Sequence, residues 1–231
     1  MIRTADEGPV RTITLSRPER RNALRPADLD ALAAAVEGSE APVVYLHGAG
    51  SSFCAGADLD VVSTLDDPEG FARRGQRAAR ALEESSSVVV AGIDGAARGG
   101  GVELALACDL RVATPDATLG EPGVRFGLFG AWGGTVRLPR IVGEGEALDF
   151  ALSGRVVDAD EALRMGLVSR VTDDPRAVAT ELAEGAHDAL AAVKQRVRAR
   201  DDRRTQEGAE AAVFGDLHRA HADRIATSRT E

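Results

Sequence analysis

Two short segments of small residues hold the groups best suited to chemistry. One is Gly95-Ala96-Ala97-Arg98-Gly99-Gly100-Gly101-Val102-Glu103. Three glycines at the start of a helix leave several backbone N–H groups without intrahelical acceptors. Together with the positive end of the helix dipole, these make a natural anion site. The anion could be a phosphate or an oxygen that gains charge during a reaction. No Gly-Lys-Ser/Thr follows, which argues against a nucleotide P-loop. Glu103 falls in the first turn, where its ordinary role is to complement the dipole; its sharper role is a carboxylate beside a reacting centre. The other segment is Ser51-Ser52-Phe53-Cys54-Ala55-Gly56-Ala57-Asp58-Leu59. Small residues let a ligand approach the backbone closely. Taken alone, this segment reads as a tight turn between a strand and a helix.

The elements that must carry these segments alternate between strand and helix. Residues 13–15, 43–46, 88–93 and 110–113 read as short strands. Residues 29–36 and 71–84 read as helices, and a further helix opens at the three glycines. Such alternation predicts an α/β fold. The spacing is less regular than in a Rossmann sheet, and no Gly-x-Gly-x-x-Gly follows the first strand. From Gly143 onward the pattern is mainly helical, with one last strand at 167–171. Asp158-Ala159-Asp160-Glu161 resembles a capping box, and Gly166 suits the helix end. Residues 174–226 read as two or three amphipathic helices, with Phe214, Leu217, His221 and Ile225 on one face that must pack on something.

Composition narrows the function class. The 231 residues carry a formal net charge of −9, which argues against a nucleic-acid surface. Lys194 is the only lysine, so an anionic ligand must be held by arginines or backbone N–H groups. With 3% aromatic residues, the core must be built from Ala, Val, Leu and Ile. The start of the chain shows no signal-like apolar stretch, and no run approaches the length of a membrane span. With Cys54 and Cys108 as its two cysteines, the chain reads as a reduced, cytoplasmic protein.

The two small-residue segments together resemble the paired signatures of the crotonase superfamily, the enoyl-CoA hydratase/isomerase family. The run Ile13-Thr14-Leu15-Ser16-Arg17-Pro18-Glu19-Arg20-Arg21-Asn22-Ala23-Leu24 is similar to that family's first-strand segment. Gly133-Gly134-Thr135-Val136-Arg137-Leu138-Pro139-Arg140 and Asp160-Glu161-Ala162-Leu163-Arg164-Met165-Gly166-Leu167-Val168 resemble its later motifs. The agreement covers about residues 10 to 171, in the family's order. The resemblance implies a spiral core of ββα units over residues 1–173. It implies a C-terminal helical region, 174–231, involved in assembly as a homotrimer or dimer of trimers. The implied ligand is an acyl-CoA thioester in fatty acid metabolism. No metal or redox cofactor is implied, coenzyme A being part of the substrate. The implied oxyanion hole is formed by the N–H groups of Ala57 and Gly100, with Ala23, Ala55, Gly56, Asp58 and Gly99 around the ligand. The physical logic agrees: a thioester carbonyl gathers negative charge as its enolate forms, and fixed donors aimed at that oxygen lower the barrier.

One departure bears on the reaction. Hydratases of this family use two glutamates. Glu103 matches the first, but the residue after Pro122, where the second belongs, is Gly123. Glu121 lies two residues earlier. If the backbone is extended there, Glu121 and Gly123 point to the same side. Glu121 is therefore a candidate second acid, its ordinary alternative being a surface or hydrogen-bonded carboxylate. Phe129 and Trp132 are candidates for the acyl pocket or else for the core. Arg21 could reach the coenzyme phosphates, and Arg98 could pair with an acid or face the ligand. His47 reads as structural. The expected activity is that of an enoyl-CoA hydratase-like lyase. The alternatives are isomerisation, decarboxylation or thioester hydrolysis through the same enolate, and a catalytically silent acyl-CoA-binding subunit.

Overall fold

The computed structural model describes residues 1–227. Nine strands are present among them: β1 (Ile2–Glu7), β2 (Val10–Leu15), β3 (Val43–Gly48), β4 (Val88–Ile93), β5 (Ala96–Arg98), β6 (Leu110–Ala113), β7 (Thr118–Gly120), β8 (Val156–Asp158) and β9 (Arg170–Val171). The α-helices are α1 (Pro26–Glu37), α2 (Leu59–Val62), α3 (Pro68–Glu84), α4 (Gly100–Ala107), α5 (Gly134–Val142), α6 (Glu144–Ser153), α7 (Ala159–Arg164), α8 (Pro175–Leu182), α9 (His187–Arg198) and α10 (Arg203–Thr227).

The strands form two layers. The larger sheet has the order β1-β2-β3-β4-β6-β9, parallel throughout except for the antiparallel β1–β2 pair. β4 is buried along its whole length and β3 through Val43, Val44, Tyr45 and Leu46, which is why both read as unbroken apolar runs. The second sheet joins β5 and β7 in parallel and β7 and β8 antiparallel. Isolated bridges extend it through Cys54↔Ala97 and Leu24↔Ala57. Each turn of the chain thus supplies a long strand to one layer, a short ribbon to the other, and then a helix. This is the ββα spiral that the resemblance implies.

The segment 51–59 is therefore more than a turn. Its middle is a ribbon between Leu24 and Ala97, and it needs small residues because neighbouring backbone lies on both sides. Asp158 does cap α7, its side chain accepting from the Glu161 N–H at 2.8 Å, and Gly166 follows the helix with φ +75°. The strand expected at 167–171 is shorter, because only Arg170 and Val171 pair with β6.

By contact, the chain divides into two compact units, Met1–Ala183 and one starting at Glu184. The first runs past residue 173, where sequence reading ended the core. Helix α8 belongs to it: Asp174 caps the helix by accepting from the N–H groups of Arg176 and Ala177, and α8 packs on β3, β4 and β6. The second unit contains α9 and α10, which pack on each other. In it His221 bonds Asp188 at 2.9 Å, while Phe214 and Ile225 are exposed.

Candidate active site

The ribbon 52–57 and the N-terminus of α4 meet at one wall of a cavity of about 600 Å³. Asn22 holds the ribbon in place. It is fully buried in a left-handed conformation (φ +58°), and its amide donates to the carbonyls of Ala49 and Ser52 at 2.9 and 2.7 Å. Leu24 then pairs across, its N–H donating to Gly56 and its carbonyl accepting from Asp58. That pairing turns the Ala57 N–H to the opposite side. Gly100 is the first residue of α4, so its N–H has no intrahelical acceptor. Among the described residues neither of these two N–H groups has an acceptor, and both residues line the cavity. Two such donors can hold an oxygen that gains negative charge.

Gly56 sits behind this pair and does not line the cavity, unlike Ala23, Ala55, Asp58 and Gly99. It has φ +85°, and a Cβ there would stand 2.6 Å from the Arg98 carbonyl and 2.8 Å from the Gly100 nitrogen. Its role is to let the two donors approach. Asp58 touches the cavity, but its carboxylate is already engaged. It accepts from Arg17 at 2.6 Å and from the Asp60 N–H at 3.1 Å, and Arg17 and Arg20 hold it below the usual carboxylate range. Asp60 pairs with Arg20.

Glu103, in the first turn of α4, projects into the same cavity and is 2% exposed. One oxygen, Oε1, accepts from the Trp132 and Gly134 N–H groups, both at 2.7 Å. These donors come from the loop entering α5. That loop is braced by Gln76, which donates to the Ala131 carbonyl at 2.9 Å, and by Arg137, which donates to the Trp132 carbonyl at 3.2 Å and pairs with Glu83 at 2.5 Å. Burial raises the Glu103 pKa to about 7, opposed by the two N–H bonds and by Arg137. A carboxyl poised there can exchange protons near neutral pH.

Glu121 also reaches the cavity, although the premise behind that expectation does not hold. The backbone after it is not extended, because Pro122–Phe126 forms a 3₁₀ turn. It is β7 that delivers Glu121, as the next residue after Gly120. Glu121 is 8% exposed, so it is not a surface group. Among the described residues its side chain has no hydrogen-bond partner. Burial, and then the charge of Glu103, push its pKa up to about 8.

The remaining wall is apolar. Trp132 is 3% exposed and wedged between α3 and α4: side chains at Gly75 or Gly100 would overlap its ring, and Phe71 meets it edge-on at 5.7 Å. It is thus both core and cavity wall. Phe129 is 67% exposed and lines the cavity with Phe126 and Leu128, so it is not core. Arg98 finds no acidic partner among the described residues; its guanidinium donates to Thr118 and to the Ala97 carbonyl. Arg21 lines the cavity. His47 is structural, bonded to Thr14 at 2.9 Å and stacked on Tyr45. Sequence reading did not single out Asn22, Arg137 or Phe126. Asn22 acts by bracing backbone about 30 residues away and Arg137 by pairing with Glu83, 54 residues away, while Phe126 carries no local signal at all.

Known proteins agree with this architecture. Residues 5–227 match the model of the enoyl-CoA hydratase/isomerase family. The chain belongs to that family. It is 40% identical over 148 residues to a short-chain-enoyl-CoA hydratase of Clostridium acetobutylicum, a match covering 61% of this chain and 57% of that enzyme. It is 36% identical over 159 residues to a crotonyl-CoA hydratase of Syntrophomonas wolfei, covering 66% of this chain and 61% of that one. The chain thus spans about three fifths of the length of the curated relatives it matches. The crystal structure of an enoyl-CoA hydratase from Thermoplasma volcanium superposes with a TM-score of 0.91 at 29% identity, covering 100% of this chain and 97% of that one. In this chain the residue after Pro122 is Gly123, and Glu121 lines the cavity with Glu103.

Proposed function

We propose that this chain catalyses the hydration of a 2-enoyl-CoA through a thioester enolate. The observation that carries this reading is the pair of acceptor-free N–H groups, Ala57 and Gly100, lining one cavity with the buried Glu103. The thioester oxygen sits between the two donors. Glu103, as carboxylate, takes a proton from water while the water oxygen bonds to the β-carbon. The electron pair of the double bond moves through the α-carbon onto the thioester oxygen, where the two N–H groups stabilise it. Donors of this kind are each worth about 10²–10³ in rate. Arg21, at the cavity and without an acidic partner among the described residues, is suited to the coenzyme phosphates.

The acyl group lies against Trp132, Phe71 and Leu128. The assembly we infer is a homotrimer or dimer of trimers in the cytoplasm, supported by the exposed Val193, Val197, Phe214 and Ile225 of α9 and α10. Sedimentation tests the assembly.

The activity is tested by adding the purified protein to 2-butenoyl-CoA and following loss of the enoyl thioester. Glu103→Gln is expected to lose turnover and keep acyl-CoA binding. Turnover that is unchanged in this variant removes Glu103 from the mechanism. Binding without turnover of enoyl-, malonyl- or hydroxyacyl-CoA by the unaltered protein would identify a silent acyl-CoA-binding subunit instead.

A further inference from the structure

Hydration needs a second proton transfer, to the α-carbon, and the position expected to provide it carries Gly123. The backbone around Gly123 also leaves little room for a side chain. A Cβ there would lie 3.1 Å from the Leu128 carbonyl oxygen and 3.1 Å from Phe129 Cα. Both are backbone atoms, and the Leu128 N–H donates back to the Gly123 carbonyl at 3.0 Å, tying the loop down. The loop has closed over the place from which a glutamate at 123 would leave the chain.

Glu121 meets the same need from another direction. It lines the cavity that holds Glu103, Ala57 and Gly100. A carboxyl that is more than nine-tenths buried ordinarily bonds something, because leaving it unpaired is costly. Here no described group bonds it. Its oxygens are not among the fully enclosed atoms lacking a partner, so they open onto the cavity. A merely structural glutamate would have a cap, an arginine or a backbone N–H to bind. Glu121 has only the cavity and, across it, the charge of Glu103.

We propose that Glu121 is the acid that transfers the proton to and from the α-carbon, in place of the glutamate missing at 123. The assignment rests on the enolate reading above. In hydration the enolate oxygen re-forms the thioester carbonyl as the α-carbon takes the proton of the Glu121 carboxyl. Glu103 ends protonated and Glu121 ends ionised, and proton exchange with solvent after product release restores both. The family's chemistry is thus served by a carboxyl carried at the end of β7, with the 3₁₀ turn that follows free to pack against 128–129.

The test isolates the α-carbon. Butanoyl-CoA has no α,β-double bond to hydrate, so its α-hydrogens exchange with deuterated water only through the enolate. The unaltered protein is expected to exchange them and to hydrate 2-butenoyl-CoA. Glu121→Gln is expected to lose at least 100-fold in both, with butanoyl-CoA binding within threefold. Glu121→Asp, which keeps the acid but draws it back by one carbon, is expected to recover exchange well above the Gln variant; it also serves if the Gln variant does not fold. Exchange by Glu121→Gln at the unaltered rate overturns the assignment of Glu121 alone. So does a Glu121→Asp variant that binds butanoyl-CoA normally yet exchanges no faster than the Gln variant. An unaltered protein that neither hydrates nor exchanges overturns the enolate reading, and this assignment with it.

Discussion

Glu103→Gln tests burial and chemistry in one variant. Oε1 of Glu103 accepts two N–H groups at 2.7 Å, and a glutamine carbonyl can accept the same pair, so the fold should persist. What changes is ionisation. Burial lifts the Glu103 pKa from its ordinary 4.5 to about 7, so the folded protein holds that proton more tightly than the unfolded chain does. The stability this contributes is fully present below pH 4.5 and is lost as pH rises through about 7. At 1.36 kcal/mol per pH interval, ionising Glu103 in place costs about 3 kcal/mol by pH 8.5. Glutamine carries no such cost. Denaturant unfolding of both proteins should therefore show the variant gaining about 2–3 kcal/mol on the parent between pH 5 and pH 8.5. Loss of the Glu103 charge also lowers the Glu121 pKa, which acts in the same direction. Turnover should fall by about 10²–10⁴, the usual worth of a general base. A stability difference that stays flat with pH would refute the claim that Glu103 is ionised against burial, whatever the kinetics show.

Four further outcomes follow from the same geometry. The rate of hydration should be bell-shaped in pH, because Glu103 must be ionised (about 7) and Glu121 protonated (about 8); Glu121→Gln should remove the alkaline limb, as a pH–rate series would reveal. Gly56→Ala places a methyl 2.6 Å from the Arg98 carbonyl at φ +85°, and should cost more than about 1 kcal/mol in unfolding measurements and reduce turnover more than acyl-CoA binding. Trp132→Ala empties the wedge between α3 and α4 and should destabilise by about 3–5 kcal/mol in thermal or denaturant melts. Phe129→Ala, at an exposed position, should change stability by less than about 0.5 kcal/mol yet alter the preference among enoyl-CoA chain lengths, read from kcat/KM across a series.

The sequence by itself determined the elements whose signal is local. Valine-rich runs marked β3 and β4, because interior parallel strands are apolar on both faces. Asp158 and Gly166 marked the ends of α7 through backbone groups within a few residues. The glycines at 99–101 marked a helix start with free N–H groups, and ordered motifs marked the family. What only the tertiary structure decided is where distant backbones meet. That Ala57 and Gly100, whose N–H groups lack acceptors among the described residues, both line one cavity depends on Leu24 and Asn22 gripping the ribbon from the opposite side. Whether Trp132 was core or cavity wall depended on α3, whose Gly75 and Phe71 receive the indole. The fate of Glu121 was decided the same way. An alternation rule pointed to it, but Glu121 reaches the cavity by another route, since the chain turns into a 3₁₀ helix at Pro122. Its burial and lack of a partner are properties of the space enclosed by α4, β7 and the loop at 128–132, and no spacing along the chain encodes that space.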